Sequence, residues 1–175
     1  DDSRDIIKDV VLNFTDFFAT CADIIGKPLP PQVSDSISFL PLLRGETPDA
    51  KVARNDIIHH SFKGKFSIRQ GDWKLLLMPD KGGSPASTNS QAQKDSRPEI
   101  QLYNLSNDPG EVNNVQDAHP EITKSLIALL ETQVQNGRST PGASLSNDAE
   151  VDIWKNAKSK AEAKAKSKKS KKNKK

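Results

Sequence analysis

Between positions 56 and 78 three short runs rich in apolar and β-branched residues, 56–61, 66–69 and 73–78, follow one another with almost no chain between them. The links, Phe62-Lys63-Gly64-Lys65 and Gln70-Gly71-Asp72, each contain a glycine, and connections this short join antiparallel neighbours in hairpins. A fourth strand is expected at 100–105. The turn that follows it, Asn107-Asp108-Pro109-Gly110, has a mechanism: Asp and Asn bond back to the backbone, Pro presets φ, and Gly accepts positive φ.

The strongest helix signal spans Pro120 to Gln135. Pro120 suits the first helical position, Glu121 the positive end of the macrodipole, and Gly137 lies just past the end. Ile122, Leu126, Leu129 and Leu130 form its apolar stripe. The expected fold class is therefore α+β: a small four-stranded antiparallel sheet packed against a C-terminal helix.

Upstream, Thr15 to Gly26 reads as a short helix with an N-cap at Thr15 and a C′ glycine. Ser38 can cap a single turn that tolerates Pro41 and stops at Gly45. The pattern at 6–14 does not decide between a strand and the approach to one. These short helices expose Phe17, Phe18, Leu40 and Leu43 unless something covers them, and apolar patches of that kind mark interfaces.

Charge is unevenly distributed. The segment 155–175 holds eleven lysines and one acid, Glu162, with no large apolar residue, so it buries too little to offset its ordering entropy. Setting it aside from the chain's 26 basic and 23 acidic residues leaves an acidic body, 15 against 22. The net charge of +3 comes from the segment. A polyanion is a candidate partner for it by counterion release, while the lack of interleaved aromatic residues argues against specific nucleic-acid recognition. The stretch 81–98, rich in Gly, Ser, Asn, Gln and Pro, reads as a long disordered surface loop. No apolar run approaches the roughly 18–20 residues of a membrane span. The one cysteine, Cys21, allows no internal disulfide and no Cys-rich metal site, and its apolar helix marks it as a buried structural thiol.

Four segments carry a family resemblance, in order along the chain. Asp16-Phe17-Phe18-Ala19-Thr20 leading to Gly26 resembles an Asp-aromatic-Pro-Thr helix ending in glycine, with Ala19 where Pro is usual. Asp35-Ser36-Ile37-Ser38-Phe39-Leu40-Pro41-Leu42-Leu43-Arg44-Gly45 is similar to an Asp-Gly-x-Ser-Leu-x-Pro-x-Leu-x-Gly stretch, with Ser36 in place of Gly. Ile68-Arg69-Gln70-Gly71-Asp72-Trp73-Lys74 resembles an Arg-x-Gly-x-Trp-Lys strand pair. Leu102-Tyr103-Asn104-Leu105-Ser106-Asn107-Asp108-Pro109-Gly110-Glu111 and the residues to Asn114 resemble a Leu-Tyr-Asn-Leu-x-x-Asp-Pro-x-Glu-x-x-Asn segment. Together they resemble the carboxy-terminal region of the sulfatases, arylsulfatase-like and formylglycine-dependent hydrolases of sulfate esters.

The resemblance implies a division of the chain: 1–55 as the trailing edge of an α/β, alkaline-phosphatase-like domain, 56–137 as a C-terminal subdomain, 138–154 as an extended segment and 155–175 as a disordered tail. It implies a parent enzyme whose nucleophile is formylglycine, made from Cys or Ser in a Cys/Ser-x-Pro-x-Arg motif, and whose calcium polarises the sulfate. That motif is absent here, since Cys21 is followed by Ala22-Asp23-Ile24-Ile25. No catalytic residue, metal ligand or cofactor is therefore assigned to this chain. Its implied partners are an amino-terminal catalytic domain and a sulfated small molecule or polysaccharide, and its implied location is periplasmic or extracellular. Two alternatives stand beside this reading: a polyanion-binding module using the basic tail, and the phosphatase or phosphonate-hydrolase branch of the same superfamily.

His60 and Lys63 are the candidate substrate-binding residues. Adjacent strand residues point to opposite faces, so only one of His59 and His60 can reach a pocket, and His60 is preferred. Trp73 is expected as a packed indole beside an exposed Lys74, and Tyr103 as an anchor of the last strand against the helix. Asp108 and Glu111 are expected to shape a turn, and His119 to help start the helix.

Overall fold

The computed structural model of the chain describes residues 11–46, 54–61, 63–79 and 98–155. Residues 1–10, which include the start of the ambiguous 6–14 pattern, the stretch 81–98 short of Pro98, and the lysine-rich segment past Lys155 lie outside the described residues. Two short helices, α1 (Asp16–Ile24) and α2 (Leu40–Leu43), precede strands β1 (Asp56–His60), β2 (Phe66–Gln70), β3 (Trp73–Leu76) and β4 (Gln101–Asn104), and helix α3 (Pro120–Gln135) follows. The strands form one antiparallel sheet in chain order.

The register divides the strand residues between two faces. His60 sits opposite Phe66, Ile68 opposite Ile58 and Leu75, and Leu75 opposite Leu102. This is the face under α3. Phe66, Ile68, Leu75, Leu77 and Leu102 pack there with Leu126 and Leu130 of the helix and with Ile153 from the chain beyond it. Ile68, Leu75, Leu102 and Leu130 are completely removed from solvent, and full burial of side chains of this size stabilises by about 1.5–3 kcal/mol each. The helix begins at Pro120 and its end is enforced by Gly137. That residue has φ +63°, and a Cβ on it would meet the Leu145 carbonyl oxygen at 2.6 Å.

The opposite face carries Ile57 and His59, Ser67 and Arg69, Lys74 and Leu76, and Gln101 and Tyr103. Tyr103 is therefore not an anchor against α3: it packs in a second cluster with Leu76 and Met78, and its hydroxyl donates to Gln101 Oε1 at 2.6 Å. Its neighbour Leu102 takes the helix-side position, because consecutive strand residues alternate.

The arm formed by α1, α2 and the chain between them is held by polar contacts. The Arg54 guanidinium, at the entrance to β1, binds both oxygens of Asp16, Nε to Oδ2 at 2.8 Å and Nη2 to Oδ1 at 2.6 Å, and it also reaches the Asp35 carbonyl at 2.7 Å. Asp16 accepts two further bonds, from the backbone N–H groups of Asn13 and Ile37. Ser36 accepts from the Ala19 N–H and donates to the Thr15 carbonyl, so its hydroxyl joins the two parts of the arm. Thr15 occupies the N-cap position of α1, but its hydroxyl donates to the Asp35 carbonyl rather than capping the helix. Beyond α3, Ser139 binds the Asp35 carboxylate through both N–H and hydroxyl, and Arg138 donates to the Ser34 carbonyl.

Small and polar residues of α1, Asp16, Ala19, Thr20 and Ala22, face inward, leaving Phe17, Phe18 and Cys21 exposed. Cys21 is thus not a buried thiol. The expectation took the apolar side of the helix as its inner side, and the hydrogen bonds to Asp16 and Thr20 turn it the other way.

Candidate functional site

On the sheet face away from α3, β1, β2 and β3 bring His59, Arg69 and Lys74 into one neighbourhood. Arg69 lies directly opposite Lys74 in the β2–β3 register. Like charges directly opposite one another are unfavourable, so this pair calls for an anion nearby. Glu111 supplies one: its carboxylate meets Lys74 Nζ at 2.5 Å, both groups being largely covered. Glu111 reaches that position with φ +54°, a conformation that side-chain-bearing residues rarely adopt. Lys74 is accordingly not a solvated ammonium, and Glu111 does more than lead into the helix. Asp108 does shape the turn, accepting from the N–H groups of Val112 and Asn113.

A shallow depression of about 210 Å³ opens on this face, lined by His59, His60, Ser61, Ser67, Lys74, Leu76 and Met78. His59 has its pKa lowered, first by burial, then by the positive charges of Lys74 and Arg69. It is a neutral imidazole at neutral pH, able to donate from one nitrogen and accept at the other. His60 borders the same depression, but its ring packs edge-on to Phe66 on the α3 side, with centroids 4.3 Å apart. Its pKa is also lowered, by burial and then by Lys155. Lys63 is exposed in the β1–β2 link. The structure thus brings both histidines and Lys74 to the depression, with the charges of Lys74 and Arg69 acting on His59 and that of Lys155 on His60. The Arg69–Lys74 pairing was available in the sequence once the Gly71-Asp72 hairpin fixed the register, whereas Glu111 lies 37 residues from Lys74 and gave no local signal. His119 lies against Trp73 at the start of α3, with ring centroids 5.0 Å apart and the planes tilted by 60°.

No protein-family model matches the chain. It is 34% identical over 118 residues to an N-acetylgalactosamine-6-O-sulfatase of Bacteroides thetaiotaomicron, a match covering 67% of this chain and 22% of that protein. The chain belongs to the sulfatase family. To arylsulfatase K of Mus musculus this chain is 29% identical over 154 residues, covering 83% of the chain and 25% of the relative. A solved structure from work on the metabolism of multiple glycosaminoglycans by Bacteroides thetaiotaomicron superposes with a TM-score of 0.52 at 33% identity, over 67% of this chain and 24% of that one. The chain spans about a quarter of the length of the curated relatives it matches, in their carboxy-terminal part. Its four-stranded sheet and α3 correspond to the carboxy-terminal subdomain of the sulfatases, as the segment resemblances imply.

Proposed function

We propose that this chain is the carboxy-terminal part of an arylsulfatase-like sulfuric ester hydrolase, that it helps complete the substrate pocket, and that it is inactive alone. The observation that carries the reading is the uncovered apolar side of the arm. Phe17, Phe18, Ile25 and Leu43 are 55%, 52%, 68% and 57% exposed, on a chain about a quarter as long as its relatives. A cluster of large apolar side chains held outward by a buried ion pair fits a surface that packs on a larger domain.

Among the described residues none offers a fit for the two groups the family implies. Cys21 lies on α1 without the Pro and Arg of a formylglycine motif, and among the described residues no group of three or more His, Cys, Asp or Glu side chains is placed to hold a metal. Calcium and formylglycine are proposed to reside in the rest of the protein. The contribution of this chain is electrostatic. A sulfate monoester remains anionic at any ordinary pH, and Arg69 provides positive charge beside a neutral His59 that can donate a hydrogen bond, while Lys74 is held by the Glu111 carboxylate. His60, which lines the same depression as His59, and Lys63 in the adjoining link are the proposed substrate contacts.

An assay with a chromogenic sulfate ester tests the reading. The isolated chain is expected to show no turnover, and the protein that includes the rest of the fold is expected to show it. Turnover by the isolated chain would refute the claim that it is inactive alone.

A further inference from the structure

Lys74 lines the depression, and Glu111, which holds it, does not. Arg69 lies directly opposite Lys74 across β2 and β3, like charges so placed repel, and the flexible lysine stem is free to swing the ammonium away. The Glu111 carboxylate opposes that movement at 2.5 Å. A turn delivers it. The Asp108 side chain accepts from the Val112 and Asn113 N–H groups, and the Asp108 carbonyl accepts from the Glu111 N–H at 3.1 Å. Glu111 itself stands at φ +54°, a region that costs a side-chain-bearing residue energy and persists only where the surroundings impose it. An ion pair whose partners are still 24% and 21% exposed adds little to stability. A backbone held out of its preferred region to make such a pair is therefore explained by where the pair places Lys74.

Taking the depression as part of the substrate pocket of a sulfuric ester hydrolase, we propose that Glu111 is a positioning residue of that pocket. It acts through Lys74, fixing the ammonium beside His59 so that the two side chains offer their N–H groups together to an oxygen of the bound ester. An ammonium has three N–H donors and no acceptor, so the Glu111 bond occupies one and leaves two. Holding the stem in the free protein removes an ordering cost that the ligand would otherwise meet. Glu111 also moderates the charge of the site. The groups that act on His59 are Lys74 from β3, Arg69 from β2, His60 from its own strand and Glu111 from the turn. The first three disfavour an imidazolium and Glu111 favours it, so His59 reports on both members of the pair with opposite sign.

The test uses the full protein containing this chain, with a small chromogenic sulfate ester for turnover and histidine-selective isotope labelling for an NMR titration of His59. Glu111→Gln keeps the shape of the side chain and removes its charge. It should raise KM about tenfold with kcat held within about twofold, the pattern of binding lost equally from ground and transition states. Lys74→Met should raise KM at least as far. In the Lys74→Met background, Glu111→Gln should raise KM no further, because the carboxylate acts through the ammonium. His59 should titrate at lower pH in Glu111→Gln and at higher pH in Lys74→Met, opposite signs that damage to the turn would not produce. An unchanged KM in Glu111→Gln would overturn the positioning role. So would an equal rise in KM on adding Glu111→Gln to either background, or a His59 titration that moves in neither variant. A parent protein without turnover refutes the sulfatase reading and leaves the His59 titrations to decide: opposite shifts sustain the hold of Glu111 on Lys74, and no shift overturns it.

Discussion

The sheet with α3 and the arm of α1 and α2 are held together by opposite means. In the sheet and helix the large apolar residues point inward: Ile68, Leu75, Leu102 and Leu130 are fully buried, and the charged residues of β2 and β3 lie on the other face. In the arm the buried positions include Asp16, Thr20 and Ser36, while Phe17, Phe18 and Leu43 point outward. Apolar burial is non-directional and supplies most of the stability of a fold, whereas hydrogen bonds add modest net energy and fix geometry. The body can therefore hold its own shape. The arm has its shape set by specific bonds and leaves its apolar surface exposed.

The largest expected effect tests the body. Leu130→Ala removes a fully buried side chain from the contact between α3 and the sheet, and should cost about 3–4 kcal/mol in urea unfolding followed by far-ultraviolet circular dichroism. A cost below about 1 kcal/mol would mean that the body relies on something other than this core.

Next comes the clasp. Arg54→Met leaves the Asp16 carboxylate covered without its cation and should destabilise the arm by about 3 kcal/mol, read as faster amide exchange at Ala19 and Phe39 while the sheet stays protected. The same clasp gives the arm an acid limit. Burial by itself would raise the Asp16 carboxyl, but the Arg54 bond and the N–H groups of Ile37 and Asn13 outweigh it, so the pKa is lowered from 3.8. A carboxylate with a depressed folded-state pKa stabilises fully above its unfolded value and loses that contribution as pH falls through the folded one. Protection in the arm should hold above pH 3.8 and decline below it. Asp16→Asn should weaken the arm and flatten this decline; an acid transition of the arm unchanged in Asp16→Asn would place its origin elsewhere.

The same contrast explains how much was readable in advance. The strands were legible to within a residue or two because the Gly64 and Gly71 links set both their ends and their antiparallel sense. Helix α3 was legible at both ends, since Pro120 opens it and Gly137 closes it. The face of Tyr103 required the parity of β4, which depends on the pairing of Leu75 with Leu102 and not on local pattern. The arm defeated periodicity altogether. Its inner side is defined by a bond between residues 38 positions apart, and its outer side is apolar, so the usual rule for finding the buried face of a helix points the wrong way. Of the candidate site, the two histidines were visible as a pair that must split between faces. Which of them joined Arg69 and Lys74 depended on register, and the Glu111 contact depended on a turn 37 residues away.

The smallest effect sharpens the comparison most. Phe17→Ser with Phe18→Ser removes two rings that are about half exposed in this chain, and surface changes of this kind usually fall within about 0.5 kcal/mol. The urea midpoint of the chain alone should barely move, and its solubility should rise. In a protein that also contains the rest of the sulfatase fold, the same substitutions should cost more, because burying each ring against a partner would be worth about 1.5–3 kcal/mol. A penalty of that size in the isolated chain would mean that the rings already pack within it. The arm would then be held by apolar burial like the body, and its outward face would no longer argue for a larger partner.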